Sequence, residues 1–203
     1  MCGIVGYLGR EEATPFLLGG LTNLEYRGYD SSGIAVYDGE KMVVERAVGR
    51  VGNLKEKMAE GAKALTGKLG VAHTRWATHG GVTEANAHPH GDCSDSLYIV
   101  HNGIVENYKE LKAELSEAGH VFKSQTDTEV LAHLIEENYK PEHKRTLFQA
   151  VRAALKRVHG TYGLTVISVR EPDRIIAARN FSPLILGLGQ HGNVVASDAS
   201  AFV

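Results

Sequence analysis

Cysteine is scarce in this chain of 203 residues, and the two present, Cys2 and Cys93, do not form a CxxC pair. Neither a disulfide framework nor a thiolate zinc site is indicated, and a reducing cytoplasmic setting suits the composition. An excess of charge of one sign is also missing. Against 22 basic side chains stand 24 acidic ones, so no overall field draws the chain to nucleic acid or an anionic membrane. Small neutral or zwitterionic ligands remain open. No run of about 18 apolar residues occurs, and no basic stretch with an apolar core opens the chain, which argues against membrane insertion and secretion. Repeats, low-complexity tracts and linkers are absent too, so one large domain is the expectation. Glycine, by contrast, is abundant at 23 residues, which calls for many tight turns and close backbone approaches.

The apolar pattern divides into strands at both ends and helices between. Gly3 to Leu8 reads as a short buried strand, and Glu11 and Glu12 open a helix that stops near Gly28. Ser32 to Tyr37 and Met42 to Ala47 are β-rich and flank Asp38-Gly39, a hairpin signal. A surface helix is expected over Asn53 to Leu65, with Asn53 as N-cap. Leu69 to Thr74 is a strand that empties into the long, aperiodic segment Arg75 to Ser96, and a loop of that length in a compact domain is usually functional. Leu97 to Val100 follows as a strand ending in His101-Asn102-Gly103, read as a turn at the sheet edge. Helices are expected over Glu106 to Ala118, closed by Gly119, from Ser124–Thr128 to Tyr139, and over Thr146 to Val158. Gly163 to Val169, Arg174 to Arg179, Leu184 to Leu188 and Asn193 to Ser197 read as an antiparallel meander. The class is α+β, with helices packed on antiparallel sheets.

Cysteine directly after the initiator methionine has a chemical consequence. Removal of Met1 would leave Cys2 with a thiol and a free α-amine, whose reference pKa values of about 8.5 and 7.7–8.0 let the amine take the thiol proton near neutrality. That is the N-terminal-nucleophile arrangement. Taken alone, a small residue at position 2 is better read as the start of a buried strand. A thiol attacking a carbonyl needs oxyanion donors, and the Asn102 amide with the Gly103 N–H could provide them. Arg75 offers a fork for a carboxylate and Asp127 an acceptor for an ammonium; each alone also reads as an ordinary surface charge or helix-start residue. His88 and His90 lack acidic or thiol company, so no metal is assigned to them. Cys93 belongs to no motif, and Arg27, Tyr29 and Asp30 read as a helix end and a turn.

Taken together, Cys2–Gly6 (CGIVG), Leu24–Gly33 (LEYRGYDSSG), His73–Gly80 (HTRWATHG), Asn86–His90 (NAHPH), His101–Tyr108 (HNGIVENY), Ser124–Glu129 (SQTDTE) and Ser197-Asp198 resemble the glutaminase domain of the glutamine:fructose-6-phosphate amidotransferases. These are class II glutamine amidotransferases. The resemblance implies an N-terminal-nucleophile hydrolase fold, a four-layer αββα sandwich. It also implies hydrolysis of L-glutamine to glutamate and ammonia through a Cys2 thioester, for conversion of fructose 6-phosphate to glucosamine 6-phosphate. Asn102 and Gly103 would form the oxyanion hole, Arg75, Thr78 and His79 would hold the substrate carboxylate, Asp127 the ammonium, and Trp76 would gate the ammonia path. No cofactor or metal is implied. The domain is expected over residues 2–203 and to run beyond position 203, with the sugar-isomerase domains that receive the ammonia absent; any homo-oligomer would form through those domains. The glutaminase of an amidophosphoribosyltransferase-like enzyme, a noncatalytic glutamine-binding module and an unrelated N-terminal-nucleophile amide hydrolase are the alternatives. The joint presence of Cys2, Asn102, Arg75 and Asp127 argues against the last two.

Overall fold

Ten strands and five α-helices are found among the described residues, 2–61, 65–77 and 80–202, of a computed structural model of the protein. In chain order they are β1 (Gly3–Gly9), α1 (Ala13–Asn23), β2 (Ser31–Tyr37), β3 (Met42–Val48), α2 (Val51–Glu60), β4 (Leu69–Arg75), β5 (His90–Gly91) and β6 (Leu97–Val105). Then follow α3 (Tyr108–Glu117), α4 (Thr128–Asn138), α5 (Leu147–Leu155), β7 (Gly160–Ser168), β8 (Ile176–Asn180), β9 (Ile185–Leu188) and β10 (Gly192–Ala196). One antiparallel sheet has the order β3-β2-β4-β1-β10-β9 and the other β5-β6-β7-β8.

Three apolar layers hold these elements together, and strand alternation assigns residues to them. Val5, Ala72, Ile34 and Val36 meet Leu17 and Leu21 of α1 and Val51 and Leu54 of α2. Leu97, Ile99, Leu164 and Val166 meet α3, α4 and α5 on the far side. Between the sheets lie Ile4, Val71, Val100 and Ile167. The order helix, sheet, sheet, helix is the expected αββα sandwich. No helix among the described residues is long and apolar enough to cross a membrane.

Local chemistry explains most boundaries and several departures from expectation. Asp38 Oδ1 accepts the N–H groups of Glu40 and Lys41 at 2.8 and 2.9 Å, closing the hairpin at Asp38-Gly39. Thr146 and Gln149 form a reciprocal capping box at the start of α5. Gly119, at φ 96°, ends α3 as expected. The α2 helix starts at Val51, before Asn53, because Glu25 Oε1 supplies the acceptor for the Val51 N–H at 2.6 Å and Asn53 instead donates to the Val48 carbonyl. The first helix ends at Asn23, and a separate 3₁₀ turn, Glu25–Arg27, completes the path to Gly28. His101-Asn102-Gly103 is not a turn; it lies inside the nine-residue β6, paired with β7 throughout. The four C-terminal strands are not one meander either. β7 and β8 extend the second sheet, whereas β9 and β10 join the first beside β1.

Candidate active site

Period-two alternation turns the chemistry-bearing residues into the space between the sheets. His73 and Arg75 share a strand face with Leu69 and Val71, Asn102 shares one with Tyr98 and Val100, and Cys2 continues the alternation of Ile4. At the open end of that space, Cys2, Arg27, Arg75, Asn102, Gly103 and Asp127 line a cavity of about 320 Å³ together with Trp76 and Thr128. A larger cavity of about 850 Å³ lies elsewhere, walled by residues such as Phe16, Leu188 and Phe202, and has none of these groups.

The nucleophile candidate is held from several sides. Trp76 donates its backbone N–H to Cys2 Sγ at 3.2 Å. Burial pushes the thiol pKa up, and the Trp76 N–H works against that shift. The Cys2 carbonyl accepts from Arg27 Nε at 3.1 Å and from Asn102 Nδ2 at 3.0 Å. Arg27 also pairs with Asp198 at 2.9 Å. Next to it, Ile4 and Ser197 exchange hydrogen bonds: the Ile4 N–H donates to Ser197 Oγ at 3.0 Å and the Ser197 N–H to the Ile4 carbonyl at 3.1 Å. Three separate segments therefore hold residue 2, and a fourth holds its strand through Ile4.

Asn102 connects this end to a buried histidine layer. Its Oδ1 lies 2.9 Å from His73 Nε2. Behind it, Thr128 Oγ1 lies 2.9 Å from both His88 Nε2 and His101 Nδ1, and Thr126 Oγ1 is 3.0 Å from His90 Nε2. Burial lowers all four histidines, taking His73 and His90 to about 3, so their rings stay neutral at physiological pH. Neutral rings let this layer pack beneath the cavity without placing cations there.

Loop packing sets the other wall. Asp127 is 5 % exposed, and its Oδ2 accepts the Val105 N–H at 2.8 Å. Because N–H groups alternate sides along an antiparallel strand, the Gly103 N–H, two residues earlier, faces the same side as that of Val105. Gly103 has φ 139°, and a Cβ there would lie 2.0 Å from the Thr161 carbonyl oxygen, so the position requires glycine. Arg75 is buried at the end of β4, with Nη1 3.2 Å from the Gly81 carbonyl. Asn86 fastens that loop to the Asp127 loop, donating to the Gly81 carbonyl at 3.0 Å and accepting the Gln125 N–H at 2.8 Å.

A family model described as a glutamine amidotransferase domain matches residues 73–203. The chain belongs to that family. The glutamine--fructose-6-phosphate aminotransferase [isomerizing] of Chlorobaculum tepidum is 51 % identical over 100 % of this chain and 33 % of its own length. That of Pseudomonas aeruginosa is 52 % identical over 99 % and 32 %. The chain thus spans about a third of the curated relatives it matches. Among solved structures, the glutamine phosphoribosylpyrophosphate amidotransferase of B. subtilis superposes with a TM-score of 0.83 at 29 % identity, over 99 % of this chain and 43 % of that one.

Within this amidotransferase domain, Cys2, Arg75, Trp76, Asn102, Gly103 and Asp127 all come to one cavity, whereas Thr78 and His79 lie outside the described residues, as does Met1. Trp76 is half exposed, and Tyr29 meets its ring edge-on at 5.8 Å. Arg27 and Asp30 are more than a helix end and a turn. Arg27 grips the Cys2 carbonyl, while Asp30 donates its N–H to the Arg75 carbonyl at 3.1 Å and accepts that of Ala77. Sequence reasoning missed these roles and the histidine layer; the grouping of His73, His88, His90 and His101 inside the quoted motifs was the signal available. His88 and His90 are packed into that layer, hydrogen-bonded to threonines. Cys93, read as belonging to no motif, touches two other histidines.

Proposed function

We propose that this domain hydrolyses the side-chain amide of L-glutamine and, in the whole protein, supplies the ammonia to convert fructose 6-phosphate to glucosamine 6-phosphate in the cytosol. The observation that carries the reading is a single cavity that brings the Cys2 thiol, the Arg75 guanidinium and the Asp127 carboxylate together beside the Asn102 amide donor. That set matches glutamine, whose α-carboxylate would pair with Arg75 and α-ammonium with Asp127. Thr78 and His79, which follow Arg75 in sequence, would complete the carboxylate grip, and Trp76 would cover the ammonia exit. Sugar-isomerase domains would follow this one, with any oligomer formed through them.

In the mechanism, removal of Met1 frees the Cys2 amine, which takes the thiol proton as sulfur attacks the amide carbon. The carbonyl electron pair moves onto oxygen, where the second N–H of the Asn102 amide and the Gly103 N–H stabilise it. The oxyanion collapses and expels ammonia, which carries the proton from the amine, leaving a glutamyl thioester. Water then adds to the thioester through a second oxyanion, giving glutamate and restoring the thiol. No metal or cofactor takes part. Identity near 50 % to the fructose-6-phosphate enzymes, against 29 % to the phosphoribosylpyrophosphate enzyme, favours the sugar acceptor. Ammonia release from glutamine, with intact mass read on the same sample, tests the reading. Activity confined to the Met1-free form and abolished by Cys2→Ala is expected; equal activity with Met1 retained overturns it.

A further inference from the structure

Away from the glutamine cavity, three segments converge on one point beside α4. Cys93 is carried by the loop between β5 and β6, where the Asp92 carboxylate accepts from Ser94 Oγ and from the N–H groups of Ser96 and Leu97. His120 follows the glycine that ends α3, and His133 and Glu136 stand three residues apart on α4. Cys93 Sγ lies 3.6 Å from His120 Nδ1 and 3.5 Å from His133 Nδ1, and both nitrogens lie 3.0 Å from Glu136 Oε2. All four atoms fall within 4.8 Å of one another.

Those separations can be compared with a tetrahedron. Zinc binds sulfur at about 2.3 Å and nitrogen or oxygen at about 2.0–2.1 Å, so a tetrahedral angle sets sulfur and nitrogen about 3.5 Å apart and nitrogen and oxygen about 3.3 Å apart. The sulfur–nitrogen pairs already stand there, and the nitrogen–oxygen pairs need open by only a few tenths of an ångström. Glu136 Oε2 also accepts the Cys93 N–H at 3.1 Å, so the thiol, both rings and the carboxylate are drawn to one point from three segments. Of the outer ring nitrogens, His120 Nε2 is 2.9 Å from Glu137 Oε2, the carboxylate contact that orients a histidine ligand, whereas His133 Nε2 has no hydrogen-bond partner, with Glu129 Oε1 3.7 Å away. Both histidines are buried and Cys93 is exposed, which leaves a route of entry for an ion.

We propose that Cys93, His120, His133 and Glu136 form a tetrahedral zinc site. Mixed sulfur, nitrogen and oxygen ligation suits zinc, and four protein ligands make the site structural. The ion would clamp the β5–β6 loop and the α3–α4 connection onto α4, which begins at Thr128 with Asp127 immediately before it. The inference stands whether or not the domain is a glutaminase.

The test uses the purified protein carrying Cys2→Ala, so that Cys93 is its one thiol. After metal stripping, the protein is reloaded with zinc and separately with cobalt. One zinc per chain should be retained through gel filtration, cobalt should give a thiolate charge-transfer band, and zinc should raise Tm. Adding Cys93→Ser should abolish the band and weaken zinc binding by roughly 100-fold, at least the upper range for losing an outer partner of a ligand. His120→Ala should likewise lose the zinc-dependent rise in Tm. Failure of the parent to retain zinc, or a band and a zinc response that persist with Cys93→Ser, overturns the proposal.

Discussion

Replacing Asn102 by alanine removes two contacts and, in the proposed reaction, a third. Its Oδ1 is the partner of His73 Nε2, and its Nδ2 donates to the Cys2 carbonyl. His73 is fully buried and its Nδ1 is without a hydrogen-bond partner, so Asn102→Ala leaves a neutral imidazole with neither nitrogen bonded. An unsatisfied buried polar group costs about 1–3 kcal/mol. At roughly 2–4 °C per kcal/mol for a chain of this size, Tm should fall by between about 2 and 12 °C. Loss of an oxyanion donor should lower kcat by about 10²–10³, while KM should change little because, in the proposed reading, Arg75 and Asp127 hold the other end of glutamine. Thermal melts and steady-state ammonia release on the same preparation separate the two effects. A variant that melts lower yet keeps kcat within about tenfold would refute the oxyanion role and leave Asn102 as a strut for Cys2.

Three further outcomes follow from the same geometry. Asp127→Asn keeps an acceptor for the Val105 N–H but loses the charge, so KM for glutamine should rise by roughly 10- to 150-fold, the equivalent of about 1.5–3 kcal/mol for a hydrogen bond to a charged group; an unchanged KM would remove Asp127 from the ammonium site. Gly103→Ala sets a Cβ against the Thr161 backbone at a positive φ, which no rotamer relieves, so loss of Tm and of activity together is expected in melts and assays. His73 binds its proton only near pH 3 when folded but near 6.5 when unfolded, so the unfolded state takes up protons first as pH falls. Its contribution is therefore complete above pH 6.5 and is lost below it at about 1.4 kcal/mol per pH unit, with His88, His90 and His101 acting in the same direction. Urea titrations at pH 7.5 and 5.5 should show the loss, and His73→Gln should flatten the slope.

Much of this molecule could be read from its residues because local rules and tertiary packing agree. The strands read at Gly3 to Leu8 and Leu69 to Thr74, the Asp38-Gly39 turn and the helix beginning at Thr146 each depend on neighbours in sequence, and each formed close to where it was read. His101-Asn102-Gly103 looked like a turn because glycine tolerates a positive φ. Here the same freedom keeps an extended strand close to Thr161. Arg27 was hidden for a different reason. Its target is a backbone carbonyl at residue 2, which no side-chain pattern announces. The histidine layer and the Cys93 cluster likewise depend on which strands and helices pack together. Ligands drawn from Cys93, His120 and His133 have no shared spacing to recognise.

The most direct test of the account is acid quenching of the protein during glutamine turnover, followed by peptide mass mapping. A glutamyl thioester on a peptide that begins at Cys2, absent from Cys2→Ala and from protein retaining Met1, is the predicted result. Steady ammonia release with no such adduct under single-turnover conditions, or an adduct on a peptide still bearing Met1, would contradict it.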